Sequence, residues 1–219
     1  MGARRGDAVV DGPRTGPGIW SKRREAEGRR APSLSPVRVG GLSALFSGAA
    51  WTALGLAALL TLGRGGAIHS PGLLGQALYV VAFLGMLGGV MGLYARQALG
   101  FGLLGKAGSS AAFSGTALLL AGLALSFALG DSSGPAFLEP ALALALWVAL
   151  VGFALLGVAN LRLAALPGSC GWTLLVCPPL ALLLGDYGGG AVLGLAWLVV
   201  GHALLSQRDV SALLRAGSR

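Results

Sequence analysis

The sequence predicts an all-α polytopic membrane protein, a bundle of six transmembrane helices. Three observations carry that prediction. Hydrophobic residues fill 55% of the 219 positions and charged residues only 11%, against about 25% charged in a soluble domain, so the chain lacks the side chains to cover a water-facing surface. The charges are also segregated, with nine of the 16 Lys and Arg residues inside positions 1–38. The rest divides into six apolar runs at 39–62, 72–95, 109–130, 137–160, 169–185 and 188–206, each close to the ~20 residues that cross about 30 Å of hydrocarbon.

Residues 1–38 are rich in Gly, Pro, Arg and Ser and show little apolar periodicity. A segment of that kind buries too little surface to offset its ordering entropy, so a disordered basic cytoplasmic tail is expected. Its arginine pairs do not make a twin-arginine export signal, because SKRREAE continues with charge where apolar residues are required. A start of translation near Val37 or Val39 is the alternative, with VRVGGLSALF as a short basic lead into the first helix.

The six runs are separated by turn formers: GRGGAIHSPG, RQALGFGLLGKAG, DSSGP, LRLAALPG and DYGGG. DSSGP is a good entry to the fourth helix, where Pro135 and Glu139 suit the positive helix end. The fifth run carries Pro178 and Pro179, which remove two backbone donors and predict a kink. Residues 207–219 form a short basic tail.

Charge predicts orientation. With a cytoplasmic N-terminus, the inner face receives the tail, Arg96, Lys106, Arg162 and the C-terminal arginines, fifteen of the 16 basic residues. The outer face receives Arg64 with Asp131, Glu139 and Asp186. Positive-inside therefore holds at every loop, and both termini are expected in the cytoplasm of a plasma-membrane protein. Anionic headgroups at the inner face are the expected partners of the basic flanks. Nucleic acid is not expected, although the net charge is +8, because the basic residues lie where topology places them and Lys occurs only as Lys22 and Lys106.

An echo runs through the apolar body. SALFSGAAWTALGLA at 43–57 and SAAFSGTALLLAGLA at 110–124 agree at nine of fifteen positions, 67 residues apart. Both segments run from inside to outside, so a duplication would be parallel, a two-helix unit copied in the same sense. At the same offset Gly85 meets Gly152. Small residues recur at four-residue spacing, which lines one helical face and lets backbones approach. The packing positions expected on this ground are Ser47, Gly48, Gly85, Gly88, Gly89, Gly92, Ser114, Gly115, Gly190 and Gly194.

Intramembrane polar residues are the usual pointers to a pathway. Here they are Gln76 and Tyr79 in the second run, Asn160 in the fourth and His202 in the sixth. With the Pro178-Pro179 kink as a gate, they form the candidate pathway, each with interfacial solvation or helix-to-helix hydrogen bonding as the competing role. His69 and Glu139 fall near outer ends, and no charged group falls near a midplane, which disfavours ion coupling. Cys170 and Cys177 stand about 10.5 Å apart along one helix, too far for a disulfide, and no Cys/His cluster suggests a metal. No cofactor is expected.

No enzyme is expected either. Six helices, a Ser before Gly and His202 invite comparison with rhomboid intramembrane serine proteases, yet the chain carries LFSG and AFSG where the rhomboid motif is GxSG. The opening VRVGGLSALFSGAAWTALGL and the closing GLAWLVVGHALLSQRD resemble uncharacterised small multi-pass membrane proteins of high-GC bacteria. That resemblance implies a six-helix plasma-membrane protein and carries no residue role. The favoured expectation for function is a non-enzymatic accessory subunit that meets a membrane-protein partner or its own copy through helix faces. The alternative is a small carrier or channel for an uncharged or amphipathic solute.

Overall fold

A computed structural model describes residues 35–62, 72–97, 102–129, 137–163, 166–185 and 187–206. The expected disorder of residues 1–34, the basic tail 207–219, and the positions of Arg64, His69, Asp131, Pro135 and Asp186 lie outside the described residues. Among the described residues the chain is all-α: α1 Pro36–Leu62, α2 Leu73–Gln97, α3 Leu103–Leu129, α4 Leu138–Leu163, α5 Gly168–Leu184 and α6 Gly189–Ser206. Five of the six are long and apolar enough to cross a membrane, and α5 is shorter at 17 residues.

Several helices start or stop beyond the apolar runs, for local reasons. Residues 36–38 belong to α1 rather than to a tail, because Ser35-Pro36 is a helix start. Proline fits the first helical position, and the Arg38 N–H donates to Ser35 Oγ at 3.4 Å as well as to the Ser35 carbonyl. Helix α3 starts at Leu103, inside the expected loop, so Lys106 belongs to its first turn and not to the loop. Pro140 sits in the first turn of α4, where its missing donor has no intrahelical acceptor to serve. Helix α5 stays helical through Pro178 and Pro179, although the carbonyls of Leu174 and Leu175 lose the donor four residues on. It ends in a tight turn into α6 at Gly185 (φ 48°) and Gly188 (φ 96°), left-handed positions that favour glycine.

The helices run up and down in sequence, each packed on the next, and α6 returns to close the ring against α1. Helix α1 is gripped on two sides. Toward α2, Gly40 meets Gly92, and Ser47 Oγ donates to the Ala82 carbonyl at 2.8 Å. Toward α6, Gly48 faces Gly194 and Leu198, and Gly55 faces Gly190 and Ala191. Helices α3 and α4 form a second tight pair, where Gly115 meets Ala149 and Gly152 meets Ala112. In an apolar solvent these approaches replace the hydrophobic effect as the source of association, since dispersion between backbones needs side chains that do not intervene.

The two halves of the bundle are filled differently. Arg38, Arg96, Lys106 and Arg162 all belong to one end, the basic end of the bundle. That half is closed by Val90, Leu93, Leu156, Val200 and Leu204, all buried. At mid-depth Trp197 of α6 lies against Gly89 of α2 and meets the Phe153 ring of α4 edge-on at 5.8 Å. Beyond this layer, toward the opposite end, the packing opens.

Candidate functional site

The opening begins at Trp51, in the middle of α1. Its indole is half-buried and donates from Nε1 to the Met86 sulfur at 3.1 Å. Two rings of α2 lie edge-to-face against it, Tyr79 at 5.7 Å and Phe83 at 5.3 Å. Tyr79 and Phe83 are four residues apart, hence on one helical face, and α1–α2 packing turns that face toward Trp51. Such edge contacts fix the rings while leaving parts of their surfaces uncovered.

Three adjacent spaces share Trp51 and Leu146 as walls. A cleft of about 510 Å³ lies between the aromatic trio and α3–α4, lined by Leu119, Leu123 and Ser126 on α3 and by Glu139, Leu142, Ala143 and Leu146 on α4. A second space of about 240 Å³ runs between α1, α5 and α6, past Gly55, Ala181 and Gly190. Behind both, nearer mid-depth, a cavity of about 110 Å³ receives residues from all six helices, among them Met86, Thr116, Phe153, Pro178 and Leu193. The cleft has the size range of a small-molecule site.

Polar groups are scarce here. Ser126 Oγ donates to the Gly122 carbonyl at 3.0 Å, so its proton is already engaged. Thr116 is fully buried, and its hydroxyl has no hydrogen-bond partner among the described residues. Glu139 is the single acidic residue among the described residues, and every described Lys and Arg lies at the other end of the bundle. No group of three His, Cys, Asp or Glu that could hold a metal occurs among the described residues.

The residues picked out in the sequence are therefore divided. Of the candidate pathway, Tyr79 lines the cleft and Pro178 the inner cavity. Gln76 is half-buried one turn from Tyr79 and does not line these three spaces, and Pro179 is exposed on the outer side of α5. Asn160 is buried near the basic end of α4, and His202 is exposed in an open groove of about 510 Å³ between α5 and α6, with Pro167 and Ser169. Gln76 and Tyr79 lie in the half away from the basic end, and Asn160 and His202 lie in the basic half.

The expected packing residues divide differently. Ser47, Gly48, Gly85, Gly88, Gly89, Gly92, Gly115, Gly190 and Gly194 all face a neighbouring helix of the same chain. Ser114 does not. It is exposed, with its hydroxyl turned back to the Ala111 carbonyl at 3.3 Å. The 67-residue echo makes it the counterpart of Ser47, but α3 presents Gly108, Ala112 and Gly115 to α4 instead. Those positions correspond to Gly41, Leu45 and Gly48, the side that α1 turns toward α6, about one residue or roughly 100° around from the side that carries Ser47.

Sequence alone did not single out Trp51, Phe83, Thr116 or Leu146, and it placed Glu139 only as an interfacial charge. The spacing of Tyr79 and Phe83 was the available signal. The cleft walls otherwise come from four helices and are made of residues that any lipid-facing surface also carries. Comparison with protein-family models, with curated proteins and with solved structures returns no match.

Proposed function

We propose that the chain is a plasma-membrane protein that binds an amphipathic small molecule in the Trp51–Leu146 cleft, and that it acts as a small carrier opening away from the basic end. The observation that carries this reading is the asymmetry of the bundle. Each half carries an open groove of about 510 Å³, between α5 and α6 at the basic end and at the Trp51–Leu146 cleft at the other. Among the described residues only the cleft is backed by an inner cavity, which all six helices line. Helix faces that dock a separate subunit receive less support, since nine of the ten small residues expected at helix contacts are occupied within the chain, Ser114 excepted. Positive-inside charge puts both termini in the cytoplasm and turns the cleft outward, with Arg38, Arg96, Lys106 and Arg162 toward anionic headgroups.

The reading is tested with a decyl maltoside analogue that carries a diazirine in its tail, photolysed with the protein in nanodiscs. Peptides containing residues 119–126 and 142–146 should be labelled above lipid-facing peptides. Leu146→Trp, which fills the wall common to all three spaces, should abolish that excess and leave lipid-facing labelling unchanged. Uniform labelling, indifferent to Leu146→Trp, would overturn it.

A further inference from the structure

The chemistry of the cleft is more selective than an amphiphile of any charge requires. Building on the proposed binding role, we infer that the ligand is an organic cation with an apolar tail, its charged nitrogen held among Trp51, Tyr79 and Phe83 with Glu139 as counter-charge. Three half-buried aromatic rings and one carboxylate line the same cleft of about 510 Å³. Ring faces attract a cation through their quadrupole, most strongly when the cation is large and weakly hydrated and the site is shielded from water. A carboxylate at the rim supplies the opposite charge that makes partial dehydration tolerable.

Other ligand classes fit less well. An anion would meet Glu139 with no described basic residue on this side of the bundle. A sugar or peptide headgroup would need several donors and acceptors, whereas the Ser126 proton is committed to Gly122. A metal ion would need several oxygen ligands, and Glu139 is the one acidic side chain among the described residues. The tail has a place to go, because Phe83 and Leu119 line both the cleft and the 110 Å³ cavity behind it. That inner space is smaller than the roughly 150 Å³ that admits benzene, so it takes the end of an alkyl chain rather than a ring.

The test uses three competitors with one tail and different heads: decyltrimethylammonium, decyl maltoside and decyl sulfate. Each competes below its micelle concentration against the diazirine probe, with the full chain in phosphatidylcholine nanodiscs. The cation should displace the probe from the cleft peptides at a concentration about tenfold lower than the neutral compound, the equivalent of about 1.4 kcal/mol, and the sulfate should be weakest. Glu139→Gln should bring the displacing concentrations of the cation and the maltoside together, and probe labelling of the cleft peptides without competitor reports that the cleft is intact. Tyr79→Leu should reduce the cation advantage in the same direction. Equal displacement by all three heads, unaffected by Glu139→Gln, would overturn the cation assignment and leave the amphiphile site standing. Absence of specific cleft labelling by the probe would remove both.

Discussion

Ser47 and Thr116 both carry hydroxyls that are fully buried, and their surroundings treat them in opposite ways. Ser47 donates across the α1–α2 contact to the Ala82 carbonyl, which joins two helices in a solvent that offers no competing partner. Ser47→Ala should therefore cost about 0.6–1.5 kcal/mol. Thr116 has no partner among the described residues, so it bears the desolvation of a polar group without return. Thr116→Val keeps the branched shape and should raise stability by up to about 1 kcal/mol. Paired unfolding curves in mixed micelles check both values, and a loss of stability in Thr116→Val would show that its hydroxyl is satisfied. The pair also shows where single-residue reading stops. Spacing marks Ser47 as a packing residue and would mark Ser114 equally, yet only the arrangement of neighbours makes one an interhelical donor and the other a surface side chain.

At the scale of elements, existence is easier to read than orientation. Apolar runs announce all six helices, because a backbone in hydrocarbon must satisfy its own hydrogen bonds. They do not announce which face turns inward, since both the lipid and the bundle interior are apolar and no amphipathic stripe distinguishes them. Glycine spacing partly restores that information. Gly85 and Gly152 dock on α1 and α3 at corresponding heights, as the 67-residue offset implies, while the faces they meet differ. Helix α1 is the element most constrained by this, with small residues toward both α2 and α6. A side chain at Gly55 would meet the backbone of Gly190 and Ala191, which cannot yield as a side chain would. Gly55→Val should cost about 1–3 kcal/mol or more, whereas Gly72→Ala, with open space around it, should fall within about 0.5 kcal/mol of the parent. Thermal unfolding in detergent, measured by the loss of monodisperse protein, separates the two. Similar stability for both would mean that α1 and α6 do not approach this closely.

For the whole molecule, the closed half and the open half acquire meaning only once the bundle is oriented in a membrane. The four described basic residues of the helices share one end, and Glu139 stands at the other, so the positive-inside rule makes a single prediction for the entire fold. Single cysteines at Lys106 and Glu139, introduced after Cys170 and Cys177 are replaced by Ala, report the two ends directly. A membrane-impermeant maleimide should label Glu139→Cys on intact cells, and Lys106→Cys only after permeabilisation. Both positions are exposed in the bundle, so failure to label reflects the side of the membrane rather than burial. The opposite pattern would turn the cleft toward the cytoplasm. Its carboxylate would then face the leaflet whose own negative charge already concentrates cations, and the outer surface would present the closed, basic end. Orientation therefore decides from which side an organic cation first meets Trp51, and the labelling decides it without knowledge of the ligand.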